Sequence, residues 1–141
     1  MPILEYHLTE GQHSDDQIAE LILASSHLYA DVLQSPIERV RVLVHLHRPQ
    51  HHAVGGRLIS EGAGLAPYFH FLVLEGRPVE QCHRLLQGFT DLLERTLRVD
   101  RQRIRGGCWP IPAAMWGIGG QPASALRAHE IMARAQLEAT P

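Results

Sequence analysis

Pro2-Ile3-Leu4-Glu5-Tyr6-His7-Leu8-Thr9-Glu10-Gly11 and Pro67-Tyr68-Phe69-His70-Phe71-Leu72-Val73-Leu74-Glu75-Gly76 open two copies of one design, with proline, glutamate and glycine recurring at an offset of 65. Further along the offset is 64: Val40-Arg41 answers Ile104-Arg105, and Gly55-Gly56 answers Gly119-Gly120. One extra residue therefore sits in the first copy, near Gln12 or His13. A repeat of this length makes each copy one supersecondary unit. The copies differ where it matters chemically. Pro2 follows Met1, which is normally trimmed before so small a residue, whereas Pro67 lies inside the chain and has no free nitrogen.

Each copy reads strand, helix, strand. Residues 2–9 read as a strand that is expected to be buried on both faces, and Ser14-Asp15-Asp16-Gln17 is a capping box that opens a helix. Ile18, Leu21, Ile22, Ser25, Leu28, Tyr29, Val32 and Leu33 follow at helical spacing. From Val40 to His47 the pattern alternates: Val40, Val42, Val44 and Leu46 share one face, and Arg41, Leu43, His45 and His47 the other. This predicts a second strand parallel to the first. The second copy predicts a strand at 68–74, a helix starting near Pro78 with a stripe from Val79 to Leu97, and a short strand at about 103–109. The segment from Pro122 to Leu137 reads as a terminal helix, and Glu61-Gly62-Ala63-Gly64-Leu65-Ala66 links the halves.

The expected architecture is α+β: two βαβ repeats (about 2–60 and 67–124) forming one four-stranded sheet with both helices on one face and a pseudo-twofold axis. A single domain of 141 residues is expected, including a C-terminal helix at about 122–137. The uncovered sheet face would need a partner, which argues for an oligomer.

A composition of 45% hydrophobic and 20% charged residues suits a soluble globular chain, and a net charge of −2 with both signs interspersed gives no basic stripe for nucleic acid. No apolar run reaches the length of a membrane span and no secretory pattern opens the chain, so a cytoplasmic location and no membrane partner are expected. Cys82 and Cys108 lack metal-type spacing and are read as free thiols, buried or partly so. His45, His47, His51 and His52 suggest a metal cluster, but no acid or thiol nearby completes a ligand set. With Arg41 on the same face, a polar inner or interface surface is the better reading, and no metal site is assigned.

A free α-amino group titrates near ~7.7–8.0, and an apolar pocket or neighbouring arginines lower it further, which makes such a nitrogen a general base at neutral pH. The order Pro2-Ile3, Leu8-Thr9-Glu10-Gly11, Ser14-Asp15-Asp16-Gln17, Pro36 to Val42 and Gly55-Gly56 with Ser60 resembles the 4-oxalocrotonate tautomerase subunit of the tautomerase superfamily. Leu74-Glu75-Gly76-Arg77 and Trp116-Gly117-Ile118-Gly119-Gly120 repeat the pattern in the second copy. The resemblance covers nearly the whole chain apart from its last helix. Its double-length members, such as cis-3-chloroacrylate dehalogenase, are trimers of fused βαβ subunits, so a homotrimer is implied here.

The resemblance also implies roles. Pro2 would be the acid/base, Arg77 the arginine that holds a carboxylate, and Trp116 the aromatic wall. Arg41 and Arg105 occupy the second-strand arginine position of their repeats, and either could complete the site. His27 falls where the dehalogenase subgroup has a substrate-binding histidine. The mirror site around Pro67 would be dead, its partners having become Gln12 or His13, and His52. No acid occurs in residues 102–120 to activate water, which disfavours hydrolytic dehalogenation. The expected activity is a cofactor-independent tautomerisation of a small unsaturated 2-hydroxy or 2-oxo carboxylic acid. The alternatives are a hydratase or dehalogenase-like activity on an unsaturated acid, or a non-catalytic binding protein of the same fold.

Overall fold

A computed structural model describes residues 2–140. The main elements are β1 (Ile3–Thr9), α1 (Asp15–Leu33), β2 (Arg41–His47), β3 (Tyr68–Leu74), α2 (Val79–Leu97), β4 (Arg105–Ile111) and α3 (Ala128–Ala139). The strands form one four-stranded sheet in the order β2-β1-β3-β4. Within each repeat the strands are parallel, β1 with β2 and β3 with β4, while β1 and β3 meet antiparallel at the centre with Ile3 opposite Leu72. The predicted α+β arrangement of two βαβ units is the one observed.

Local chemistry explains the element ends. Ser14 Oγ accepts from the Gln17 amide at 3.1 Å and Gln17 Oε1 accepts from the Ser14 amide at 2.9 Å, so both sides of the capping box are made. Pro78 caps α2 in an extended conformation, outside the helix proper. Both long helices end on a left-handed residue that is not glycine, Gln34 (φ 52°) and Arg98 (φ 55°). The repeats also share their strand entries, since the Arg41 amide donates to the Pro2 carbonyl (3.0 Å) and the Arg105 amide to the Pro67 carbonyl (3.1 Å).

Leu4, Tyr6, Leu8, Phe69, Phe71 and Val73 point from the central strands into the helix layer, where they meet Leu21, Tyr29, Leu85, Phe89 and Leu93. Two tyrosines in this core carry hydroxyls that need partners. Tyr6 bonds Ser25 Oγ at 2.7 Å, and the Tyr29 hydroxyl reaches the carbonyls of Ile3 (3.2 Å) and Leu72. Tyr29 thus ties α1 to the β1–β3 junction.

Three expectations need correction. β4 starts at Arg105, because Arg101–Arg103 forms a 3-10 turn whose first residues are capped by Asp100. The terminal segment is not one helix. Gln121–Pro122 pairs with Gly117–Ile118 in a hairpin, a short turn follows at Ala123–Leu126, and α3 begins only after Arg127 leaves helical geometry (φ −114°, ψ 18°). A matching hairpin, Ala53–Val54 with Arg57–Leu58, closes the first repeat. β1 is also less apolar than a strand buried on both faces: Leu4, Tyr6 and Leu8 are buried, and Ile3, Glu5 and His7 alternate with them on the helix-free face.

That open face carries Leu43, Tyr68, Leu72, Trp109 and Ile111 around a polar centre. Glu5 accepts from His45 Nε2 (2.8 Å) and His70 Nε2 (2.6 Å), and His7 stacks on His45 and bonds His47 at 2.7 Å. The four histidines of the 45–52 run therefore split, with His51 in a turn and His52 walling another pocket. Hydrogen bonding from His45 holds the Glu5 carboxyl below its usual range. Burial, reinforced by His45, His47 and His70, lowers His7. Cys82 and Cys108 are half-buried free thiols with sulfurs 3.0 Å apart, and burial pushes Cys108 up to about 12.

Two predictions follow from this packing. A Cβ on Gly106 would lie 2.2 Å from the Phe69 ring, which crosses β4 at that point. Gly106→Ala is expected to cost about 1–3 kcal/mol as an overpacking change, read by urea unfolding. His7 binds protons less readily in the folded chain than in the unfolded one, so stability falls as pH drops below ~6.5. Glu5 adds a second loss as pH falls from ~4.5 through its lowered value. Thermal melts from pH 8 to 4 are expected to show both. His7→Asn should flatten the upper step and Glu5→Gln the lower.

Candidate active site

Pro2 precedes the first residue of β1 and is fully buried. Antiparallel pairing sets the start of β1 against the end of β3, so Pro2 lies beside Val73 and Leu74, and three residues after Leu74 the chain reaches Arg77 before α2 begins. The C-terminal end of α1 supplies the anchor: Arg77 Nη1 donates to the Leu33 carbonyl at 3.0 Å and to Gln81 Oε1 at 3.2 Å. Burial lowers the Arg77 guanidinium to about 10, with Arg134 adding to the effect, so it remains a cation at neutral pH. Its remaining donors have no partner in the described residues that would neutralise the charge.

Trp116 comes from the Gly-Gly hairpin of the second repeat. Its carbonyl is fixed by the Ala123 amide at 2.8 Å, and its indole Nε1–H is out of solvent without an acceptor among the described residues. A buried donor without a partner is costly to leave unmade and so favours an acceptor that can reach it. Pro2, Arg77 and Trp116 wall a single cavity of about 30 Å³.

The sequence reading missed further residues of this cavity. Arg39, in the 3-10 turn before β2, and Arg127, Glu130 and Arg134, from the C-terminal segment, also line it. Arg39 grips Glu130 through two bonds, Nη1 to Oε2 at 3.0 Å and Nη2 to Oε1 at 2.9 Å. Each partner reinforces the other's charge, the pair lowering Glu130 and raising Arg39. No spacing rule links residues 39 and 130, and α3 has no counterpart in the first repeat, so pattern-matching between copies could not reveal this contact.

The other expected residues lie elsewhere in the protomer. Arg41 is exposed on β2, bonded to the carbonyls of Glu38 and Arg39, and walls a larger hollow of about 330 Å³ adjoining the Pro2 cavity. Arg105 is exposed and turned onto the carbonyls of Gln102 and Ile104, and it does not line either space. His27 is exposed on α1 and also lines neither. Around Pro67 the corresponding space is lined by His13 and His52, has a volume of about 0 Å³ and is walled by no arginine. Gln12 is not part of it.

Comparison with known proteins places the chain in a family. A family model described as tautomerase enzyme matches residues 2–62. The 2-hydroxymuconate tautomerase of Pseudomonas sp. (strain CF600) is 38% identical over 61 residues, covering 43% of this chain and 95% of that protein. The chain belongs to the tautomerase family. Among solved tautomerase structures, a native fused 4-OT superposes with a TM-score of 0.83 at 34% identity, over 89% of this chain and 98% of the other. A fused 4-OT described as a wild-type asymmetric trimer gives 0.79 at 28% identity, over 88% and 98%. The likeness to these fused tautomerases spans both repeats, whereas the family model matches residues 2–62. Among the described residues no helix is long and apolar enough to cross a membrane.

Proposed function

We propose that this tautomerase isomerises a 2-hydroxy-2,4-dienoate to the 2-oxo-3-enoate, with the secondary amine of Pro2 as the proton carrier. Met1 and its removal lie outside the described residues, and the reading requires that Met1 be trimmed. Pro2 takes the enol proton and returns it to a distant carbon, so atoms and charge balance without a cofactor. The observation that carries the reading is the meeting of Pro2, Arg77 and Trp116, drawn from distant parts of both repeats, in one cavity.

The surroundings suit the chemistry. A buried ring and nearby guanidiniums disfavour a second cation, which keeps a free amine neutral and basic. Arg77 offers a planar fork for a carboxylate, and the Trp116 indole N–H supplies a donor for the oxygen that gains charge in the dienolate. The name of the Pseudomonas relative makes 2-hydroxymuconate the substrate to try first. Arg41, beside the outer hollow, is the better of the two second-strand arginines for an added contact within a protomer. Arg105 and His27 would reach a site only across a subunit boundary. The helix-free sheet face, with exposed Leu43, Tyr68 and Trp109 around its polar centre, together with the trimeric fused 4-OT neighbour, favours a homotrimer.

Ketonisation of 2-hydroxymuconate, followed in the ultraviolet with Met1 removal checked by mass, tests the proposal. Pro2→Ala is expected to lower kcat by roughly 10²-fold or more, the range of a positioned acid/base. Arg77→Gln is expected to lower kcat/KM by about 10–100-fold, the worth of a charge-assisted bond. Equal rates for native and Pro2→Ala protein would sink the mechanism. A processed protein that hydrates an unsaturated acid without isomerising dienols would assign it to hydratase chemistry instead.

A further inference from the structure

We propose that Arg39 is a second carboxylate-binding arginine of this site and that Glu130 of α3 occupies it as an internal stand-in until a dicarboxylate displaces it. The inference rests on the reading of the Pro2 cavity as the substrate site, and it names the substrate class that site favours.

Space is the first argument. The Pro2 cavity has room for one or two waters at about 30 Å³, whereas sites for small organic ligands are typically ~300–1,000 Å³. Next to it lies the hollow of about 330 Å³ walled by Arg41. The two spaces share Arg39, Trp116, Ile118 and Arg127 as lining, so they are neighbours across one partition. The Arg39–Glu130 pair belongs to that partition. Parting it joins the small pocket containing Pro2 to one large enough for the rest of a dienoate.

Charge is the second. Arg39, Arg77, Arg127 and Arg134 face the inner cavity with Glu130 as the single acid among its lining residues. A chain that gathers four guanidiniums around one carboxylate has built a site for more negative charge. The two-pronged contact of Glu130 on Arg39, at 2.9 and 3.0 Å, is the geometry an incoming carboxylate would adopt on the same fork. When displaced, Glu130 is not left bare. Arg127 and Arg134, three residues before it and four after, lie close enough to hold its carboxyl low, so the exchange replaces one ion pair with others.

Mobility is the third. No described residue of α3 is buried, and the helix follows a break at Arg127. Such a segment opens at low free-energy cost compared with α1 or α2, whose apolar stripes form the core. A substrate carrying one carboxylate on Arg77 and a second at the far end of a planar six-carbon chain can meet both arginines. A monoacid brings no second carboxylate to replace Glu130 on Arg39. Glu130 therefore sets selectivity for diacids.

The test compares trans,trans-muconate with sorbate, dienes of equal length that differ only in the far carboxylate, by calorimetric titration of the full-length protein. Arg39→Gln is expected to weaken muconate about tenfold relative to sorbate, through loss of a bidentate charged contact. Glu130→Gln is expected to tighten muconate about fivefold, because the competing internal carboxylate is gone, and to leave the affinity gain absent in the Arg39→Gln/Glu130→Gln double variant. Arg39→Lys serves as a second variant with the charge kept, and circular dichroism confirms folding in each case. Equal gains for sorbate and muconate, or a gain from Glu130→Gln that persists without Arg39, would overturn the proposal, as would muconate that fails to bind the Glu130→Gln protein. These binding readouts do not depend on Pro2. A protein inactive on 2-hydroxymuconate that still shows the pattern would retire the acid/base mechanism alone. An active enzyme indifferent to Arg39 and Glu130 would retire the stand-in alone.

Discussion

The antiparallel junction of β1 with β3 is the constraint on which the rest depends. It joins two units that each consist of a parallel strand pair and a helix, and neither unit alone could cover its own sheet and helix. Its register, Ile3 opposite Leu72 and Tyr6 opposite Phe69, places every large core ring on the helix side. A slip of one residue would turn Leu4, Tyr6 and Leu8 outward and drive Glu5 and His7 into the core. Tyr29 guards against this from above, with its hydroxyl set over the carbonyls of the pair that ends the junction. The same register brings the start of the first copy to the end of the strand that opens the second, and so delivers Pro2 to Arg77.

A symmetric frame has been used asymmetrically. Arg77 and Trp116 on one side are answered by His13 and His52 on the other, and burial lowers the pKa of both histidines, so neither readily supplies a fixed positive charge. Arg103 stands 64 residues after Arg39, at the same place in its repeat, yet it is spent on the linker: its Nε donates to the Leu65 carbonyl and its Nη2 to that of Gly64. One arginine seals the linker next to the mid-chain proline, and its counterpart is left to hold Glu130 beside Pro2. The extra C-terminal helix then adds charge to the side whose proline can carry a free amine.

Much of this was legible in the residues. Strands that alternate or run apolar, helices with a capping box and a stripe at helical spacing, and glycine pairs recurring at a fixed offset all record local physics, and these placed β1, α1, β2, β3 and α2 closely. Pro2, Arg77 and Trp116 were named by the family resemblance, carried onto matching positions, and the fold brings all three to one cavity. The misses are at element ends, where no period speaks: a local cap, Asp100 Oδ1 accepting from the Gln102 amide, holds a 3-10 turn ahead of β4, and Gln121–Pro122 pairs back on Gly117–Ile118 before any helix begins. Arg39 and Glu130 were invisible because a long-range ion pair leaves no period. Arg105, the position twin of Arg41, shows the converse, since equal sequence position gave two arginines different surroundings.

The energetics of Arg77 tie the fold to the chemistry. Taking a guanidinium out of water is costly unless it is paired, yet Arg77 is met by a carbonyl, an amide oxygen and a second arginine. Like charges held together in a small, mostly closed space raise the free energy of the empty site. The core built on Phe69, Phe71, Phe89 and Leu85 is what tolerates that cost, because it forms without any residue of the cavity's charged wall. A carboxylate entering the cavity would offset that repulsion. On the proposed reading the same crowding of guanidiniums would favour an anion in the cavity and disfavour a second cation at Pro2, so one charge arrangement would serve both binding and proton transfer.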